Sequence, residues 1–99
     1  MFMLSLAVIL FWQAPGSPSE TDRLRAEAEK ENSQAQFHLG LRYHNGQGVP
    51  RDFAQAVSWF RKAADQGDAN AQYSLGLMYY NGEGVPRDLP AAVSWYRKA

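Results

Sequence analysis

From Ser33 onward, apolar residues recur every three to four positions, the spacing that gathers them on the faces of an α-helix. Ala35, Leu39 and Tyr43 make one stripe, and Phe37, Leu41 and His44 make a second. A helix that is apolar on more than one side needs neighbours on more than one side. The pattern stops at Asn45-Gly46-Gln47-Gly48-Val49-Pro50, where two glycines supply positive φ and the proline pushes Val49 into extended backbone. It resumes as a second helix with Ala56, Val57, Phe60, Ala63 and Ala64 on its apolar face. The whole arrangement then repeats. Ala35 to Ala63 returns as Ala71 to Ala99 with about 20 of 29 aligned positions identical, at a period of about 36 residues. Tyr73, Leu77 and Tyr80 take the places of Phe37, Leu41 and His44, and Ala92, Val93, Tyr96 and Ala99 echo the second helix.

The joints between these helices carry their own chemistry. Asn32, Asp52, Asp68 and Asp88 stand where a short acceptor side chain takes up the free N–H groups of a helix start. Gln55 is placed to close a capping box with Asp52, and Pro90 falls in a first turn, where a missing N–H costs little. Gly67 precedes Asp68 and suits the left-handed residue that ends a helix. Gly40 and Gly76 sit inside helices, at a propensity cost of about 1 kcal/mol each, which points to close approach of a neighbouring helix. Glu20 to Glu31 lacks Gly, Pro and β-branched residues after Thr21 and reads as a charged helix. Shifted by one period, Ala28-Glu29-Lys30-Glu31-Asn32 falls on Ala64-Asp65-Gln66-Gly67-Asp68, so this helix stands for the second half of an earlier unit. A unit of this size cannot bury its own apolar faces and is stable only in a stack. The expected fold is therefore all-α, built of antiparallel helix pairs.

Ahead of the repeats, Phe2 to Trp12 is apolar except for Ser5, and Pro15, Gly16, Ser17 and Pro18 follow. The run is shorter than the roughly 20 apolar residues that span a bilayer. Ala14 and Gly16 offer a small-x-small cleavage site, so an export signal is expected, although no Lys or Arg precedes the run. This places the protein in a secreted or periplasmic setting, with the cytoplasm as the alternative. Ten basic and ten acidic residues give a formal net charge of zero, which removes the field that would draw nucleic acid or an anionic membrane. There is no cysteine, hence no disulfide framework and no thiolate metal site.

The runs LGLMYYNGEGVPRD and AAVSWYRKA, Leu75 to Asp88 and Ala91 to Ala99, resemble the Sel-one-like repeat, a relative of the tetratricopeptide repeat. The Gly-x-Gly-Val-Pro-Arg-Asp connection sets that family apart from ordinary tetratricopeptide units. The resemblance implies a right-handed α-solenoid and a protein-interaction scaffold, of the kind used in bacterial signalling, export and host contact and in eukaryotic membrane-protein quality control. It implies no reaction. A secreted, cysteine-rich branch ties each unit with a disulfide, and the lack of cysteine separates this chain from it. The expected organisation is a signal peptide or apolar segment over 1–18 and a degenerate half repeat over 19–32. One repeat follows over 33–68 and a second over 69–99, truncated at its C-terminal end.

No residue set calls for catalysis, a metal or a cofactor. His38 and His44 are six residues apart, about 240° around a helix, and so cannot share an ion. The glycine loops lack the Lys-Ser/Thr ending and the preceding strand of a phosphate-binding loop. The candidate binding residues are Phe37, Leu41 and His44 with Tyr73, Leu77 and Tyr80, which recur at i, i+4 and i+7 on the first helix of each unit. Two readings stay open for them: a groove for a peptide or protein partner, or packing against the preceding unit. Arg42 and Met78 differ between units and are expected at a rim; Arg51, Arg87, Asp52 and Asp88 border the joints and read as structural. The main functional expectation is a binding module. The alternative is a piece of a longer array with a structural or oligomerising role, since the last helix pattern is still running at Ala99 and an uncapped end invites self-association.

Overall fold

Five α-helices follow one another in the computed structural model, which describes residues 18–99, and no strand occurs among those residues. They are α1 (Pro18–Glu29), α2 (Ser33–Asn45), α3 (Phe53–Asp65), α4 (Ala69–Asn81) and α5 (Leu89–Lys98). Each packs mainly on the helices before and after it in the chain, so α2–α3 and α4–α5 are antiparallel pairs and α1 leans on α2. This is the stacked α-solenoid. The expected export signal lies outside the described residues. Among the described residues, no helix is long and apolar enough to cross a membrane.

The four expected caps form. Asn32, Asp52, Asp68 and Asp88 accept from the backbone N–H of Ala35, Gln55, Ala71 and Ala91 at 2.9–3.1 Å. The capping box is only half made, however, because the Asp52 N–H donates to the Tyr43 carbonyl at 2.9 Å instead of meeting Gln55. Asp88 does the same to Tyr79 at 3.0 Å. These bonds fold each loop back across the end of its own first helix, which turns the chain into the antiparallel partner.

Within each pair the closest approach is at the helical glycine. A β-carbon on Gly40 would lie 2.6 Å from ring carbons of Phe60, and one on Gly76 would lie 2.7 Å from ring carbons of Tyr96. The ring occupies the volume that any side chain would need, so the pair closes only because there is none. Around this contact Ala35, Leu39, Tyr43, Ala56, Val57, Phe60, Ala63 and Ala64 are buried, with Ala71 and Leu75 continuing the core in the next unit. Trp59 joins them at 8% exposure, an addition to the expected apolar face.

Between units the contacts repeat with the period of the sequence. The buried Gln36 amide donates to the Ala28 carbonyl at 3.0 Å, and Gln72 donates to Ala64 at 3.1 Å. Each ties a first helix to the end of the preceding second helix. Arg25 donates to the Tyr43 hydroxyl at 2.7 Å, and Arg61 donates to that of Tyr79. The second loop glycine rests on the preceding helix, Gly48 against Thr21 and Gly84 against Phe53 and Val57.

Three expectations need correction. Met78 is not at a rim but 2% exposed. Arg42, one period earlier, is partly exposed and reaches Glu20 at 2.7 Å, whereas the residue one period after Glu20 is Ala56, so Met78 has no equivalent carboxylate to reach. Val93 and Ala99 are exposed, unlike Val57 and Ala63, because among the described residues nothing packs on α5 as α4 and its loop pack on α3. Helix α1 opens at Pro18, two residues before Glu20, where the first-turn position tolerates proline.

Two variants test this account. Gly76→Leu should lower stability by about 1–3 kcal/mol or more through overpacking, whereas Arg42→Ala, which loses a partly exposed pair, should cost under about 1 kcal/mol; thermal melts that fall equally would refute the crossing. Glu31 occupies the place of Gly67 yet holds φ 65°. Glu31→Gly should therefore gain about 0.5–1 kcal/mol by relieving a left-handed side chain, read as an upward shift of the melting temperature.

Candidate functional site

The six candidate residues do not form one continuous groove. Leu41, His44 and Leu77 come together in a cleft of about 400 Å³ between α2 and α4. Its floor is Phe60 and Met78, and its rim carries Asn45, Ser74, Asn81 and Glu83. Phe37, Tyr73 and Tyr80 lie outside that lining. Phe37 is half-buried and tilts against Phe60, ring centroids 5.8 Å apart, so at this position packing claims much of the side chain. Tyr73 and Tyr80 are 54% and 50% exposed.

The tyrosines make a second surface beside the cleft. Tyr73 of α4 lies against Tyr96 of α5 at 5.5 Å between centroids, and the Arg87 guanidinium sits 5.7 Å from the centre of the Tyr80 ring. Burial, and then the neighbouring Tyr73 and Tyr80, push the Tyr96 hydroxyl up from its ordinary value. Three phenols thus gather on the α4–α5 pair, where the α2–α3 pair has Phe37, His44 and Phe60. Phenol rings with polar tips are suited to a surface that is wet when free and covered when bound.

His44 is held from two sides. Its ring tilts on Phe53 at 5.2 Å, and its Nε2 stands 3.5 Å from Glu83 Oε1 across the unit boundary. Glu83 was not among the candidates read from the sequence. The available signal was the single difference between the two loops, Gln47 in the first and Glu83 in the second. Asn45, Ser74 and Asn81 were also missed; each reads as an ordinary helix residue until two first helices stand side by side.

A larger cleft, about 670 Å³, lies between α1 and α2 and includes His38, Leu41, Arg42, Glu20, Arg23 and Glu27. Its two guanidiniums and two carboxylates balance, with Arg42 and Glu20 already joined at 2.7 Å. His38 and His44 line different clefts. Among the described residues, no group of three His, Cys, Asp or Glu is gathered to hold a metal ion.

Comparison with known proteins places this geometry among relatives. A family model described as Sel1 repeat matches residues 33–68 and 69–99. Over 42 residues the chain is 50% identical to the secretory immunoglobulin A-binding protein EsiB of Escherichia coli, covering 42% of this chain and 9% of that protein. Among solved structures, a Sel1 repeat protein from Oxalobacter formigenes superimposes with a TM-score of 0.81 at 38% identity, over 82% of this chain and 62% of that one. A protective antigen of uropathogenic Escherichia coli strains that displays an SLR fold gives 0.77 at 49% identity, over 78% and 16%. Helicobacter pylori cysteine rich protein B gives 0.76 at 28% identity, over 79% and 59%. The chain therefore spans less than two thirds of the length of each of these proteins.

Proposed function

This chain belongs to the Sel1 repeat family, and we propose that it is a non-enzymatic binding module that holds a protein or peptide partner on the surface built by its first helices. Repeats of this family generally serve as protein-interaction scaffolds. The observation that carries the proposal is the repeated stripe. Leu41 and Leu77 meet in one cleft, and Tyr73 and Tyr80 stand exposed beside it. Half-buried leucines offer apolar contact, and rigid aromatic rings supply anchors at low entropic cost.

We infer further that the module is bacterial and exported. The apolar run Phe2 to Trp12 supports this, as does the likeness to a secretory immunoglobulin A-binding protein and a protective antigen. A second reading has its own observation. Leu89 and Val93 are 46% and 47% exposed at the places where Phe53 and Val57 carry the next unit's loop. That face would suit a structural or oligomerising role, with a further unit or a second copy seated on it.

Affinity capture from the native host with the full chain, followed by mass spectrometry, identifies the partner. Titration calorimetry should then show that Tyr73→Ala and Tyr80→Ala each weaken binding by about 1–2 kcal/mol with helicity unchanged. Unchanged binding in both, with loss on Arg51→Ala, would move the surface to the loop edge. For export, residues 1–18 fused to a phosphatase that is active only outside the cytoplasm should yield activity in a bacterial host, and a silent fusion would reverse that inference.

A further inference from the structure

The cleft between α2 and α4 carries one formal charge. Of the residues that line it, Glu83 alone is an Asp, Glu, Lys or Arg, and its side chain is half-buried. The group facing it is His44 at 3.5 Å. The two nearby loop guanidiniums are turned onto aromatic rings, Arg51 onto Phe53 at 4.5 Å and Arg87 onto Tyr80 at 5.7 Å. Unlike the balanced cleft beside α1, this one combines an apolar floor of Leu41, Phe60, Leu77 and Met78 with a carboxylate that a histidine, and no lysine or arginine of the lining, faces.

We propose that this cleft takes an apolar side chain of the partner carried next to a lysine or arginine, with the hydrocarbon on the leucine floor and the cation at Glu83. The proposal rests on the binding-module reading and adds the chemistry of the partner. An acidic partner would bring a carboxylate beside Glu83 and be turned away, which is how one charge confers selectivity on an otherwise apolar site. A volume of about 400 Å³ lies within the usual range of ligand clefts, about 300–1,000 Å³. Asn45 and Asn81 close α2 and α4 one period apart. Their carboxamides can each donate to and accept from the backbone of an extended segment.

The test uses three blocked dipeptides, N-acetyl-Phe-Lys-amide, N-acetyl-Phe-Gln-amide and N-acetyl-Phe-Glu-amide, titrated into the full chain while the methyl signals of Leu41, Leu77 and Met78 are followed by nuclear magnetic resonance. The lysine probe should bind about two- to fivefold more tightly than the glutamine probe, the scale of a partly exposed ion pair, and the glutamate probe should bind most weakly. Glu83→Gln, which places there the residue that the first loop already has at Gln47, should bring the lysine and glutamine probes to equal affinity. Three results would overturn the proposal: no shift of those methyl signals, equal binding of all three probes to the unaltered chain, or a lysine preference that survives Glu83→Gln. Insensitivity of the natural partner to Tyr73→Ala and Tyr80→Ala, with the lysine preference intact, would instead fault the tyrosine surface and leave the cleft assignment standing.

Discussion

At Gly40 and Gly76 an aromatic ring of the following helix lies where a β-carbon would stand, 2.6 and 2.7 Å away. Everything else in each unit takes its distance from that contact. Because the helices approach this closely, small residues such as Ala56, Ala63 and Ala64 are enough to fill the seam and are almost wholly buried. Larger side chains there would hold the pair apart and leave Leu39 and Phe60 in loose contact, with the loss of dispersion attraction that gaps bring. The glycine sacrifices helix propensity locally, and the tightness of the pair offsets that loss.

Closing a pair does not yet make a stack. The units are joined by three contacts that recur with the sequence period: a buried glutamine amide on the preceding helix end, an arginine on a tyrosine hydroxyl, and a loop glycine on the preceding helix. Two of these are polar, and polar joints are directional. Apolar surfaces alone would let one unit slide against the next, whereas the buried amide of Gln36 or Gln72 reaches its carbonyl in one register. The charged helix α1 uses the same joints with Ala28 and Arg25, so it packs on the first unit as a second helix packs on the next.

Against so regular a frame, the differences between units mark the surfaces on which the proposed binding chemistry would rest. Phe37, His44 and Phe60 become Tyr73, Tyr80 and Tyr96, and Gln47 becomes Glu83. None of these changes touches a cap or a glutamine joint, and the one at a crossing, Phe60 to Tyr96, keeps an aromatic ring against the glycine. Together they give the second unit three phenols and the shared cleft a carboxylate, on a scaffold whose geometry they leave alone.

The helix pairs, their caps and the crossing glycines were legible in the residues themselves, because each is a local rule: a period of 3.6, an acceptor before a helix, a glycine where a helix should not tolerate one. The candidate stripe was legible only in part, since Leu41, His44 and Leu77 converge while Phe37 turns toward Phe60 and the tyrosines stand apart. Nothing along the chain singles out Gln36 and Gln72, yet they are buried, because their partners lie on another helix. Met78 read as a rim residue for the same reason, since its burial at the cleft between α2 and α4 depends on residues outside its own helix. Glu83 looked like a loop residue until the loop folded back beside His44. The sequence by itself determined what each helix is and where it ends, for those choices are made within a few residues along the chain. Which side chains share a cleft, and which buried polar groups find partners, was decided only by the stacking of one unit on the next, because those contacts join residues that the chain keeps a period apart.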